Sequence, residues 1–152
     1  MKKVIFSMAL AVMVIFGAVS LAQAATADEA KAFGEKAAAY AKANGKEKAL
    51  AEFNNPKGQF VKGDLYIFAN NWEGICLANG GNPKIVGQNH LGLKDANDKY
   101  FMKEFIDVAK TKGSGWVNYS WTNPITKKIQ PKTTWIQRVE GADWFVGCGV
   151  YK

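Results

Sequence analysis

The residues most able to do chemistry lie between Gly113 and Ile136. Trp116, Tyr119 and Trp121 fall in a run of strand-favouring residues, a loop through Asn123–Pro124 turns the chain back, and Lys132 and Trp135 follow in a second run. Side chains alternate along a strand, so Tyr119 and Trp121 share one face and Trp116 points to the other. Aromatic rings beside one cation suit a small hollow for a carboxylate: the rings exclude water and the ammonium neutralises the anion through a charge-assisted hydrogen bond. Tyr119 adds a hydroxyl to its ring, while Trp121 and Trp135 read as walls. The same spacing also fits a packed hairpin with Lys132 in solvent.

Other reactive residues are sparse. His90 is the single histidine and sits in a Gly- and Asn-rich loop, where it reads as a surface or loop-packing residue. No nucleophile elbow accompanies it, and one histidine with scattered carboxylates makes a poor transition-metal set. Asp95–Ala96–Asn97–Asp98 lacks the glycine and distal glutamate of a calcium loop and reads as a helix start, with Asp95 or Asp98 as cap. Cys76 and Cys148 form no haem, zinc or redox motif; a disulfide and two buried thiols both remain open. The chain therefore reads as a binding module, with no catalytic residue, metal or cofactor.

These residues must be held by a small domain. Lys2–Lys3, the apolar run Val4–Leu21 and Ala22–Gln23–Ala24 have the pattern of a signal peptide, with cleavage expected after Ala24. Cleavage leaves residues 25–152 as one soluble domain, periplasmic or secreted, with no stable membrane insertion. An uncleaved anchor is the alternative. The net charge of +7 falls to +5 without Lys2 and Lys3. That charge is spread along the chain, whereas a nucleic-acid surface needs a dense basic face.

The chain order predicts helix–β–β–helix–β–β–β. Asp28–Ala43 is Ala-, Lys- and Glu-rich with apolar residues at helical spacing, and Asn44–Gly45 stops it. Lys46–Phe53 resumes as a short helix. Phe60–Val61 reads as extended. Leu65–Ala69 and Ile75–Ala78 form a hairpin, and residues 79–98 a long loop over the sheet. Lys99–Lys112 is an amphipathic helix. Trp144–Tyr151 closes the sheet, with Gly147 and Gly149 where a backbone or ligand comes close. This is an α+β domain built on an antiparallel sheet.

Three segments carry a family resemblance: residues 37–79 (ending GDLYIFANNWEGICLAN), 82–124 (NPKIVGQNHLGLKDANDKYF through WVNYSWTNP) and 128–151 (KIQPKTTWIQRVEGADWFVGCGVY). In that order and spacing they resemble a single Cache domain of the second type, the extracellular relative of PAS sensor domains. The resemblance implies a PAS-like fold: a long N-terminal helix packed on a five-stranded antiparallel sheet, with a second helix and a long loop covering the other face, where the pocket lies. Such domains commonly bind small organic acids such as acetate, propionate or pyruvate. It places Lys132, Trp116, Tyr119 and Trp121 in the pocket-lining segment. Asn79 would hydrogen-bond a ligand oxygen or cap its loop, and Phe68 is a wall or plain core. Two positions depart from the family pattern, Asn70 where Asp is frequent and Asn79 where His is frequent. With no signalling module after Lys152, the chain resembles the free-standing exported members. The expected partner is a small carboxylate, or a membrane sensor docked by a ligand-free interaction module.

Overall fold

The computed structural model describes residues 25–152; the expected signal peptide lies outside them. Helix α1 (Ala27–Asn44) starts with a capping box. Thr26 Oγ1 accepts from the Glu29 amide and the Glu29 carboxylate accepts from the Thr26 amide, satisfying two end donors reciprocally. Its buried stripe is Ala30, Gly34, Ala37 and Ala41, small residues that let the backbone approach the sheet closely. Gly45 takes a positive φ of 81° and turns the chain into α2 (Lys46–Phe53).

The strand expected at Leu65–Ala69 is split. Strand β1 (Val61–Lys62) pairs with β2 (Leu65–Tyr66) in a separate ribbon, while β3 (Phe68–Asn71) joins the main sheet. Ile67 makes the join: its amide donates to Phe60 O and its carbonyl accepts from Gly80. Strand β4 (Cys76–Asn79) returns antiparallel to β3, with a bulge at Ala69/Asn70. The loop that follows holds one 3₁₀ turn (Pro83–Ile85), and α3 spans Phe101–Thr111. Strands β5 (Ser114–Thr122), β6 (Ile129–Arg138) and β7 (Trp144–Tyr151) complete a five-stranded antiparallel sheet of order β4-β3-β7-β6-β5.

Helix α3 begins two residues later than expected, and neither Asp95 nor Asp98 caps it. Tyr100 occupies the cap position with no side-chain bond. The Asp95 carboxylate instead accepts from the amides of Asn97, Lys99 and Ser120, tying the loop to edge strand β5.

Strand β7 lies at the centre and is buried on both faces. Trp144, Val146, Cys148 and Val150 point to α1 and α2, where they pack with Phe53 and Phe60. Phe145 points to the other face, where Phe68, Phe101, Phe105, Val117, Tyr119 and Ile136 form a second core under α3. Cys76 and Cys148 are free, buried thiols, with Cys148 in the α1-side core and Cys76 lining the cavity described next.

Candidate functional site

Lys132 is 1% exposed, at the end of the α3-side core. Strand alternation puts Lys132, Thr134 and Ile136 on that face of β6, and register sets Lys132 opposite Tyr119 on β5 and Tyr151 on β7. Its ammonium donates to Tyr66 Oη at 2.8 Å and Tyr151 Oη at 3.2 Å, and lies over both rings at 4.1 and 4.5 Å. The two hydroxyls stand 3.1 Å apart, and Tyr151 Oη donates to Thr122 O. With the Tyr151 proton committed to Thr122, the Tyr66 proton points to Tyr151 or to an incoming acceptor.

Among the described residues no carboxylate forms an ion pair with this ammonium, and Asp64 acts on it only from a distance. Desolvation, which disfavours the charged form, pulls the Lys132 pKa down to about 7. Burial likewise raises the Tyr66 and Tyr119 hydroxyls well above their ordinary range. Thr134 Oγ1, on the same strand face, is buried with no hydrogen-bond partner among the described residues.

At the two glycines where a backbone or ligand is expected to come close, side chains do so, and at Gly149 the Thr133 carbonyl as well. A Cβ on Gly147 would stand 2.2 Å from Phe68 Cζ, and one on Gly149 would stand 2.1 Å from Thr134 Oγ1 and 2.9 Å from Lys132 Cε. The tip of the Phe68 ring and the lysine stem occupy the space that side chains at these positions would fill.

Beside the lysine is a cavity of about 20 Å³ under α3 and the long loop, enough for about one water. Phe68, Phe101, Met102, Phe105 and Trp121 make its apolar walls. Tyr66, Tyr119, Asn70, Cys76, Asn79 and His90 are the polar residues of its lining. Lys132 is not itself in the lining: Tyr66 stands between. Tyr66, Ile85 and Trp121 also line an outer cleft of about 560 Å³ that holds Lys84 and Lys127. These three side chains form the partition between cavity and cleft.

The other expected residues fall as follows. Phe68, Asn79, Tyr119 and Trp121 line the cavity. Asn79 also holds its own loop, its Oδ1 accepting from the amides of Gly81 and Asn82. Trp116 and Trp135 lie on the opposite face, their ring centroids 5.3 Å apart, with Lys31 of α1 over Trp135. Parity along β6 puts Trp135 out of phase with Lys132, and parity along β5 puts Trp116 out of phase with Tyr119. Sequence reasoning missed Tyr66, Tyr151 and His90. The tyrosines reach Lys132 through strand register and chain crossing, which leave no local signal. His90 is buried among the cavity walls, its ring 6.1 Å from that of Trp121, and its backbone bonds Gly74 and Leu93.

Comparison with known proteins agrees with this architecture. The family model "Single Cache domain 2" matches residues 18–152, so the chain belongs to the single Cache domain 2 family, a class of sensor domains. It is 28% identical over 88 residues to the methyl-accepting chemotaxis protein McpP of Pseudomonas putida, covering 58% of this chain and 16% of that protein. To the sensor histidine kinase MctS of Rhizobium johnstonii it is 31% identical over 88 residues, covering 58% and 19%. The chain thus spans less than a fifth of either curated relative. Among solved structures, a methyl-accepting chemotaxis protein of Vibrio parahaemolyticus superposes with a TM-score of 0.70 at 23% identity, covering 82% of this chain and 86% of that one. A Cache chemosensory domain solved for its carboxylic acid recognition gives a TM-score of 0.63 at 25% identity, covering 82% and 86%. The family is a ligand-binding signalling module of extracellular or periplasmic sensors. Among the described residues, no helix is long and apolar enough to cross a membrane.

Proposed function

We propose that this domain is a non-catalytic periplasmic or extracellular receptor for a small organic acid of the acetate, propionate or pyruvate class. The observation that carries the reading is an unpaired ammonium, Lys132, fully buried behind Tyr66 at the edge of an aromatic cavity. Burying a charge without a counter-ion is costly, and an arriving carboxylate removes that cost. Tyr66 turns its hydroxyl proton from Tyr151 to the ligand, with Lys132 polarising it from behind. The relative solved for carboxylic acid recognition supports the same ligand class.

The cavity must expand to admit even acetate, and the partition of Tyr66, Ile85 and Trp121 is the wall that moves. The small cavity volume favours a second reading, a ligand-free module that docks to a membrane sensor. Thermal shift and calorimetry of the mature chain with C2–C4 acids separate the two. At a hundredfold excess over Kd a ligand adds about 2.7 kcal/mol, a melting shift of several degrees. No shift from any acid at millimolar concentration would overturn the receptor reading and leave the docking one.

A further inference from the structure

The Lys132 network explains one end of the cavity and leaves His90 unexplained. His90 comes from the long loop, is 4% exposed, and lines the cavity with Asn70 and Cys76. Its backbone is fixed, the amide donating to Gly74 O at 2.9 Å and the carbonyl accepting from Leu93. Its ring is held against Trp121. Among the described residues neither ring nitrogen has a hydrogen-bond partner, and burial lowers its pKa. A largely buried imidazole that makes no hydrogen bond to the protein has given up much of its hydration, so a polar group reaching it through the cavity would be a favourable partner. The facing titratable groups from the other elements are Tyr66, Cys76 and Tyr119, while α3 contributes only Phe101, Met102 and Phe105. No carboxylate among the described residues lines the cavity beside the ring.

We propose that His90 is a second anchor of the cavity, and that it selects short acids carrying a further neutral oxygen, 2-oxo and 2-hydroxy acids, over saturated fatty acids of the same length. The assignment rests on the carboxylate reading above. With the carboxylate held at the Lys132–Tyr66 end, the remainder of the ligand reaches aromatic walls and one idle imidazole. A neutral imidazole offers one N–H donor and one lone pair, so it serves either a carbonyl or a hydroxyl. It brings no charge, so a second carboxylate would be buried without a counter-ion. Sites built to hydrogen-bond an oxygen discriminate against analogues that lack it, because the protein group is then left unpaired.

The test keeps carbon count fixed. Propionate, lactate, pyruvate and malonate are titrated calorimetrically into the mature wild-type chain and into His90→Leu and His90→Gln. The expected result is that lactate or pyruvate binds about five- to tenfold more tightly than propionate, with malonate no tighter than propionate. His90→Leu brings the ratio to near one, and His90→Gln, which keeps a donor and an acceptor, retains part of it. Equal wild-type affinities for propionate, lactate and pyruvate would overturn the His90 assignment while the carboxylate reading stands, and this needs no variant to fold. A preference that persists in His90→Leu, or tighter binding of malonate, would also overturn it. If no acid binds, the carboxylate reading fails and the assignment falls with it.

Discussion

The two faces of the sheet are built to different rules. The α1 face is dry. Phe53, Phe60, Trp144, Val146 and Cys148 meet a helix stripe of Ala and Gly, and the rings of Phe53 and Phe60 pack edge-on at 4.8 Å. The α3 face has more rings but buries an ammonium, an imidazole, an unpartnered hydroxyl and two asparagines among them. Both faces share one central strand, so the contrast does not come from position in the fold. One face is packed almost wholly with apolar side chains, and the other buries polar groups among its rings.

The contrast breaks most visibly with Phe53→Ala. Phe53 is fully buried in the α1-side core, and deleting such a ring costs about 3–5 kcal/mol. Denaturant unfolding should show the full loss with no change in the rank order of bound acids. A changed rank order would mean that the faces are coupled. Gly147→Ala strikes β7 from the other side. Its methyl would collide with the Phe68 ring, and overpacking costs about 1–3 kcal/mol. Here acid affinity should fall together with stability, because Phe68 is a cavity wall.

Lys132→Met sharpens the comparison by changing sign. Replacing an unpaired buried cation with an apolar side chain of similar length should stabilise the ligand-free domain by roughly 1–3 kcal/mol while abolishing acid binding. The pH dependence follows from the Lys132 pKa of about 7, against about 10.4 in the unfolded chain. Between those values the unfolded chain holds the extra proton, so this group's contribution to stability rises with pH from about 7 to about 10. Below about 7 the burial penalty is fully present. Binding runs the other way. A carboxylate prefers the ammonium form, so affinity is flat below about 7 and weakens above it by up to tenfold per pH unit. Calorimetry from pH 6 to 9 on wild type checks both slopes, and affinity that stays flat to pH 9 would remove Lys132 from the site.

Much of this was readable from the residues. The short helix at Lys46–Phe53 and the closing strand Trp144–Tyr151 appear with the bounds that their patterns imply, because capping and alternation are local. The face shared by Tyr119 and Trp121 followed from parity alone. Parity also argued against Trp116 and Trp135, and the attraction of rings near a lysine outweighed it. Tyr66 and Tyr151 were not legible: Tyr151 meets Lys132 through β6–β7 register, and Tyr66 arrives from the small ribbon beyond the bend at Ile67. Asp95 or Asp98 reads as a helix cap because Asp before an apolar run usually is one, and for Asp95 the outcome is different. Of the three amides it accepts from instead, that of Ser120 lies 25 residues away.

That brace gives the smallest expected effect. An edge strand exposes unpaired amides and carbonyls, and on β5 the loop covers two of them. Asp95 accepts from the Ser120 amide, and Lys99 Nζ donates to Asn118 O. Desolvation would raise the Asp95 pKa, but the amides of Ser120, Lys99 and Asn97 outweigh it and hold the carboxylate below its ordinary range. A depressed folded pKa means that the contribution is present above the unfolded value near 3.9 and is lost as pH falls through the folded one. The carboxylate is half-buried, so water screens it, and Asp95→Asn should cost under about 1 kcal/mol. Global melting will barely register that. Amide exchange will register it, since removing the acceptor frees Ser120 while the amides of Thr134 and Val146, deep in the sheet, keep their protection. Faster exchange confined to Ser120 and the 95–99 loop would show that the loop and edge strand are latched separately from the core. Equal acceleration throughout the sheet would show that the brace belongs to the global fold, and the division between the faces would then not extend to the edge strand.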